Sequence, residues 1–204
     1  MRVTVIDYKA GNLTSVLKTL RHLGADTIVT DGDLSLVESA DRIVLPGVGH
    51  FAATERLDKT GLTGAIRSAI ARGVPFLGIC VGMQWLYAGS TEAPQQRGLG
   101  HFPESCTRFA ESQEKVPHVG WNSLDVRNGS RLLAGVELGE FVYFTHSYKG
   151  PVTNDTAAIT QYIEPFAAAV ERNNVMGVQF HPEKSGDTGL KILRNFLAWQ
   201  AGVA

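Results

Sequence analysis

This chain is defined first by what it lacks. Its 204 residues hold two cysteines, Cys80 and Cys106, with no C-x-x-C spacing. Neither a disulfide framework nor a zinc ribbon can be read from them. A metal site joining Cys80 to His118, His146 and His181 would need those residues to meet in space, and no local ligand pair points to one. Charge of one sign is also lacking. Nineteen Lys and Arg balance twenty Asp and Glu, for a net charge of −1. A nucleic-acid surface would need a basic patch, and none is written here. No apolar run is long enough for a membrane span. The longest candidate, residues 73–86, is interrupted by Pro75, by glycines and by Gln84. The N-terminus reaches Asp7 after a few apolar residues, without a signal-peptide core. Two cysteines and no secretory signal imply a reducing compartment, and the cytoplasm is the expected location. Linkers, repeats and low-complexity tracts are missing too, which predicts one domain over residues 1–204.

What is present is an alternation of short β-branched runs and amphipathic helices. "RVTVID" reads as a strand. "GNLTSVLKTLRHLG" reads as a helix with Leu13, Val16, Leu17 and Leu20 on one stripe and Gly24 as its stop. "DTIVT" and "DRIVLPG" are further strands, residues 51–72 are mainly helical with a break at Gly61, and "VPFLGI" is a fourth strand leading into a helix over "GMQWLYAG". This order predicts a doubly wound, mostly parallel sheet of the α/β class. After Thr91 the rhythm changes. "TEAPQQRGLG" is a loop, and "HVGWNSLDV", "EFVYFTHSY", "AAITQYI", "AAAVERNN" and "VMGVQF" follow with little helix between them. They predict antiparallel additions to the sheet. "SGDTGLKILRNFLAWQ" is a closing helix, with Ser185 as cap, Asp187 in its first turn, and Leu190, Leu193, Phe196 and Leu197 as its buried stripe.

The most informative stretch is Gly78-Ile79-Cys80-Val81-Gly82, a G-x-C-x-G sequence at a strand-to-helix junction. It has the form of a nucleophile elbow with sulfur in place of a serine oxygen. A sharp turn lifts the side chain off the sheet, and the glycines keep side chains away from the crowded backbone. The helix start favours thiolate. The Val81 N–H is free to meet an oxyanion. A buried structural cysteine between packing glycines would give the same letters, so a general base has to decide.

Three histidines compete for that role. His118 precedes a β-like run, His146 ends "YFTH", and His181 ends "VMGVQFHPE". His181 is the best placed, at the carboxyl end of a strand, where α/β sheets gather their reactive groups. Pro182 biases it toward extended backbone. Glu183 then projects to the same side and can fix the imidazole tautomer.

A second glycine segment, "LPGVGHFA", follows the third strand. It fits the dinucleotide pattern G-x-G-x-x-A, but no acid ends a strand about twenty residues later, as a ribose contact requires. A loop that brings backbone N–H groups to the same oxyanion as Val81 fits better. No cofactor and no metal are expected.

Cysteine elbow, glycine loop and H-P-E stand in order, and together the chain resembles a class I, triad-type glutamine amidotransferase over nearly its whole length. "GICVGMQ" is similar to that family's nucleophile motif and "VQFHPEKS" to its His/Glu motif. "PGVGHF", "VPHVGWN", "YFTHSY" and "IDYKAGNLTSV" are similar to the glutaminase subunits of imidazole glycerol phosphate synthases, with Lys9 where those chains carry glycine. The resemblance implies the layered, flavodoxin-like fold of that family. It implies Cys80 as nucleophile, His181 as base and Glu183 as its orienting partner. It implies an oxyanion hole from Val81 and the Gly47–Gly49 loop, with Val48 N–H as second donor after a peptide flip. It implies a glutamine site at Gly49, Gln84, Ser147 and Tyr148. The partner implied is a (β/α)8 cyclase that takes up the ammonia, docking at Trp121, Asn122, Tyr143 and Lys184. A cysteine peptidase or amidase could use the same elbow, but "HVGWN" with Lys184 reads as a docking surface rather than a peptide cleft.

Overall fold

A computed structural model describes residues 1–10, 12–127 and 129–200. Gly11, where the first helix was expected to begin, lies outside the described residues. The strands are β1 (Arg2–Ile6), β2 (Asp26–Thr30), β3 (Arg42–Gly47), β4 (Phe76–Cys80), β5 (Tyr87–Ser90), β6 (Phe102–Arg108), β7 (His118–Ser123), β8 (Asp125–Val126), β9 (Phe141–His146), β10 (Tyr148–Lys149), β11 (Thr156–Tyr162), β12 (Glu164–Arg172) and β13 (Val175–Val178). The α-helices are α1 (Leu13–His22), α2 (Leu34–Glu38), α3 (Glu55–Lys59), α4 (Leu62–Ala71), α5 (Val81–Gln84) and α6 (Gly186–Ala198).

Among the described residues, eight strands form the main sheet in the order β2-β1-β3-β4-β13-β12-β11-β8. β2, β1, β3, β4 and β13 are parallel, and β12, β11 and β8 extend the sheet antiparallel. β3, β4 and β13 are buried at every residue, as strands covered on both faces must be. The chain leaves β1 in one direction for β2 and then returns past it to β3 and β4. Right-handed crossovers therefore put α1 on one face and α2 to α4 on the other, and α2 packs on α4.

Not every strand of the second half joins this sheet. β7 and β9 pair as a separate two-stranded ribbon, and β5, β6 and β10 form a third small sheet. β6 has no counterpart among the strand-like runs read from the sequence, and neither has the short helix α2. The expected helix over "GMQWLYAG" is one turn long, and Tyr87–Ser90 is a strand. The reason lies in the partners of the backbone. Leu99 and Gly100 donate to the Trp85 and Tyr87 carbonyls, and the β5–β6 pairing takes the next residues. The last helix buries Ile192 beside Leu193, Phe196 and Leu197, and Leu190 is only half-buried. Ser185 precedes that helix without capping it through its side chain. Its hydroxyl instead donates to the His181 carbonyl and accepts from Tyr143 N–H, at 2.6 and 3.0 Å.

Candidate active site

Three adjacent parallel strands, β3, β4 and β13, end together, and their carboxyl ends carry the reactive groups. Gly47 lies directly opposite Cys80 in the β3–β4 pairing, and Val178 opposite Ile79 in the pairing of β13 with β4. His181 follows three residues after Val178. The sequence positions 47, 80 and 181 thus meet because parallel strands stack their ends in register.

Cys80 adopts φ 55°, ψ −110°, a left-handed φ that a non-glycine residue occupies only under constraint from its surroundings. The constraint can be named. A Cβ at Gly78 would lie 2.4 Å from the Gly82 carbonyl oxygen, and one at Gly82 would lie 1.9 Å from the Leu45 oxygen. The two glycines let strand, turn and neighbouring strand close on one another. They make room for backbone, as a sharp turn beside the thiol requires. Because α5 is a single turn, its dipole is a minor part of the field at the sulfur.

Cys80 is buried, and its sulfur lies 3.6 Å from Gln179 Nε2, which donates to it. The thiol itself faces the Thr145 carbonyl at 3.9 Å. His181 Nδ1 is 2.8 Å from Glu183 Oε1, with both side chains sealed. The pair is closed by the one-turn 3₁₀ helix Pro182–Lys184, not by the alternation of a continuing strand. Burial lowers the His181 pKa, but Cys80 and Glu183 outweigh it and hold the imidazole up to about 9. Nε2, the nitrogen left for the thiol, has no aligned hydrogen-bond partner among the described residues. Tyr8, whose phenol is also buried without a partner among the described residues, is pushed upward by burial and then by the charge of Cys80.

The other two histidines are held differently. His118 Nδ1 and His146 Nε2 lie 3.1 Å apart, and His146 Nδ1 faces the Tyr148 carbonyl at 2.9 Å. Burial brings His118 down to about 4 and His146 down to about 3. They stay neutral near pH 7 and bind one another rather than Cys80.

A cavity of about 190 Å³ opens beside the thiol, on the scale of one amino acid. Gly49, Val81, Gln84, Ser147 and Tyr148 line it, as their motifs suggest, together with Cys80. Glu92, Pro117, Thr145 and His146 line it too, and of these only His146 was singled out from the sequence, as a rival base. Glu92 sits in a polar loop with no motif around it. Its carboxylate accepts from Phe51 N–H at 2.7 Å, which ties that loop to the one after Gly49. Gln179, two residues before His181, also went unnoticed, because a glutamine at a strand end carries no chemical signal by itself.

Gly47 and Val48 lie outside this cavity, on the side of His181 and Glu183. Gly47 is obligatory there, since a Cβ would lie 1.9 Å from the Tyr8 hydroxyl. The Val48 N–H points away from the sulfur and donates to the Ala10 carbonyl at 3.4 Å. Trp121 and Lys184, both exposed, cluster with the half-buried Tyr143. The Trp121 and Tyr143 rings are 6.1 Å apart and the Lys184 ammonium lies 5.7 Å from the Tyr143 ring centre. Asn122 does not share that face. Alternation along β7 turns it inward, to His118 and the Gln161 carbonyl.

Residues 4–199 match the family model described as Glutamine amidotransferase class-I. The chain is 43% identical over 199 residues to "Imidazole glycerol phosphate synthase subunit HisH" of Aquifex aeolicus, covering 96% of each. It is 45% identical over 197 residues to the protein of the same description from Methanothermobacter thermautotrophicus, covering 96% of this chain and 97% of that one. A solved structure of PurLQS from Thermotoga maritima shares the fold, with a TM-score of 0.73 at 20% identity over 96% of this chain and 97% of that chain.

Proposed function

This chain belongs to the class-I glutamine amidotransferase family, and from that membership we infer that it is the glutamine-hydrolysing enzyme subunit of an imidazole glycerol phosphate synthase, acting in histidine biosynthesis. The observation that carries the reading is the meeting of Cys80, His181 and Glu183 at the ends of β4 and β13 beside an amino-acid-sized cavity.

Cys80 attacks the side-chain amide carbon of glutamine. His181 takes the thiol proton and hands it to the leaving ammonia. A γ-glutamyl thioester forms, and water hydrolyses it to glutamate. Glu183 holds His181 in the tautomer that leaves Nε2 toward the sulfur. Val81 N–H is one oxyanion donor. Val48 N–H becomes the second when its peptide turns from the Ala10 carbonyl, and its resting contact with that carbonyl supports a site that waits for a signal.

The ammonia goes to a (β/α)8 cyclase in a heterodimer, through a channel between the subunits. There it joins a phosphoribulosyl-carboxamide substrate to give imidazole glycerol phosphate and an aminoimidazole carboxamide ribotide. The docking face is the outer side of the β7–β9 ribbon, where Val119, Trp121 and Phe141 are each more than half exposed. Thr145 pairs with Val119 on that ribbon and lies against the Cys80 sulfur, so this face is the short way out for ammonia. The whole chain acts as one domain, in the cytoplasm.

The test is reconstitution with a cyclase subunit. Wild type should support product formation from glutamine. Cys80→Ala should lose it while the complex keeps activity with added ammonium. Glutamine use by the alanine variant would overturn the assignment of the nucleophile.

A further inference from the structure

The Cys80 sulfur has a neighbour that the triad does not account for. Gln179 is fully buried at the end of β13, and its Nε2 lies 3.6 Å from the sulfur. An amide can present either its oxygen or its nitrogen, so what turns the nitrogen inward has to be found.

The answer is a chain of buried hydrogen bonds. Gln179 Oε1 accepts from Gln84 Nε2 at 3.1 Å. That same nitrogen donates to the Tyr148 carbonyl at 3.0 Å, which only an NH₂ group can do. Gln84 must therefore present nitrogen to Gln179, and Gln179 must present oxygen to Gln84. Its remaining nitrogen is then directed at Cys80. The Tyr148 carbonyl is pinned from its other side by His146 Nδ1–H at 2.9 Å. With that proton on Nδ1, neutral His146 accepts at Nε2 from His118 Nδ1–H at 3.1 Å. His118 Nε2 in turn faces the Asn122 amide nitrogen at 3.3 Å. Asn122 is oriented independently, because its Nδ2 donates to the Gln161 carbonyl and its Oδ1 accepts from Ser123 N–H. Every donor direction follows from the backbone carbonyls of residues 148 and 161.

We propose that Gln179 is a further catalytic residue, whose side-chain N–H stabilises the Cys80 thiolate, and that Gln84, fixed by the Tyr148 carbonyl, is the positioning residue that keeps its amide turned to the sulfur. When Cys80 loses its proton to His181, the S–H contact to the Thr145 carbonyl is lost. The Gln179 donor remains and is strengthened by the new charge. The other ionisable groups around the sulfur are His181 with Glu183, Tyr8 beyond β1, and His146 and Glu92 on the cavity wall. Of these only His181, once protonated, can donate an N–H to it, and that proton is the one later handed to ammonia, whereas the Gln179 donor stays. The proposal rests on Cys80 being the nucleophile.

The test is the pH dependence of Cys80 alkylation by iodoacetamide in the full chain. Cys106 is fully buried and its thiol is pushed upward by that burial, so it does not compete. Gln179→Met keeps the bulk and removes the donor, and should move the alkylation midpoint up by about one pH unit or more. Gln179→Glu should move it further. Gln84→Met should move it less, by freeing the Gln179 amide to rotate. Unchanged midpoints in folded Gln179 variants would overturn the proposal. Should those variants not fold, the wild type decides: the Gln179 side-chain amide ¹⁵N and ¹H resonances should shift with the Cys80 midpoint, and resonances that stay fixed through it would overturn the proposal. A wild-type Cys80 inert at all pH values would overturn both this proposal and the nucleophile assignment.

Discussion

His181 Nδ1 and Glu183 Oε1 are 2.8 Å apart and both side chains are shut off from solvent, so this contact, after that with Cys80, helps hold the imidazole charged. The proton on Nδ1 belongs to that bond and leaves Nε2 for the thiol.

Glu183→Gln keeps the shape of the contact and removes its charge. We expect kcat for glutamine hydrolysis to fall by about 10²-fold or more, with little change in KM. The change has a stability signature as well. His181 is raised to about 9 in the folded chain, from an ordinary value near 6.5. A raised imidazole pKa stabilises the fold fully below the unfolded value, and that stability is lost as pH rises through about 9. The advantage of wild type over the variant in urea unfolding should therefore be largest near pH 6 and shrink toward pH 9.5. A constant difference across that range would show that the carboxylate does not act through His181.

The glycines differ sharply in what they permit. A Cβ at Gly82 would strike the Leu45 oxygen, whereas Gly64 is exposed on α4 with open space around it and ordinary φ. Gly82→Ala should cost about 1–3 kcal/mol by overpacking. Gly64→Ala should stabilise by about 0.5–1 kcal/mol, since alanine suits a helix interior better. Thermal melts of the two variants should move in opposite directions.

Trp121→Ala removes an exposed large ring of the proposed docking face, 55 % accessible in the free chain. The free chain should melt within about 0.5 kcal/mol of wild type, as surface changes usually do. Binding to a cyclase subunit should weaken by about tenfold or more, the ordinary cost of truncating an aromatic anchor. Titration calorimetry measures this, and unaltered affinity would move the docking face elsewhere.

Lys9 sits at φ 64° and is held by three contacts: its N–H to Asp7, and its ammonium to Asp7 and Asp31, each at 2.8–2.9 Å. Lys9→Ala keeps the left-handed backbone and loses the ion pairs, so it should melt below wild type. Lys9→Gly relieves the backbone and should melt above the alanine variant. An alanine variant as stable as the glycine one would mean that the backbone is not strained there.

The parallel half of the sheet and the meeting of Cys80, His181 and Glu183 were legible because they rest on local signals: fully apolar strands, a glycine-flanked thiol, a histidine before Pro-Glu. The elements misread were decided elsewhere. Tyr87–Ser90 has the letters of a helix end and becomes a strand because residues 98–106 return alongside it. Ser185 looks like a cap, and tertiary contacts with residues 143 and 181 claim its hydroxyl first. Glu92 and Gln179 enter the site through loops and pairings that no spacing announces. Asn122 was placed on the docking face with Trp121, although neighbours on a strand point apart.

That last feature has an evolutionary edge. β7 shows Trp121 to the outside and Asn122 to the interior, one residue apart. A single insertion or deletion within residues 118–123 would slip the ribbon by one place and exchange its two sides. The indole would be driven inward and the amide outward in the same event. Recognition of a neighbour and order around the thiol therefore have to be inherited together, as the obverse and reverse of six residues.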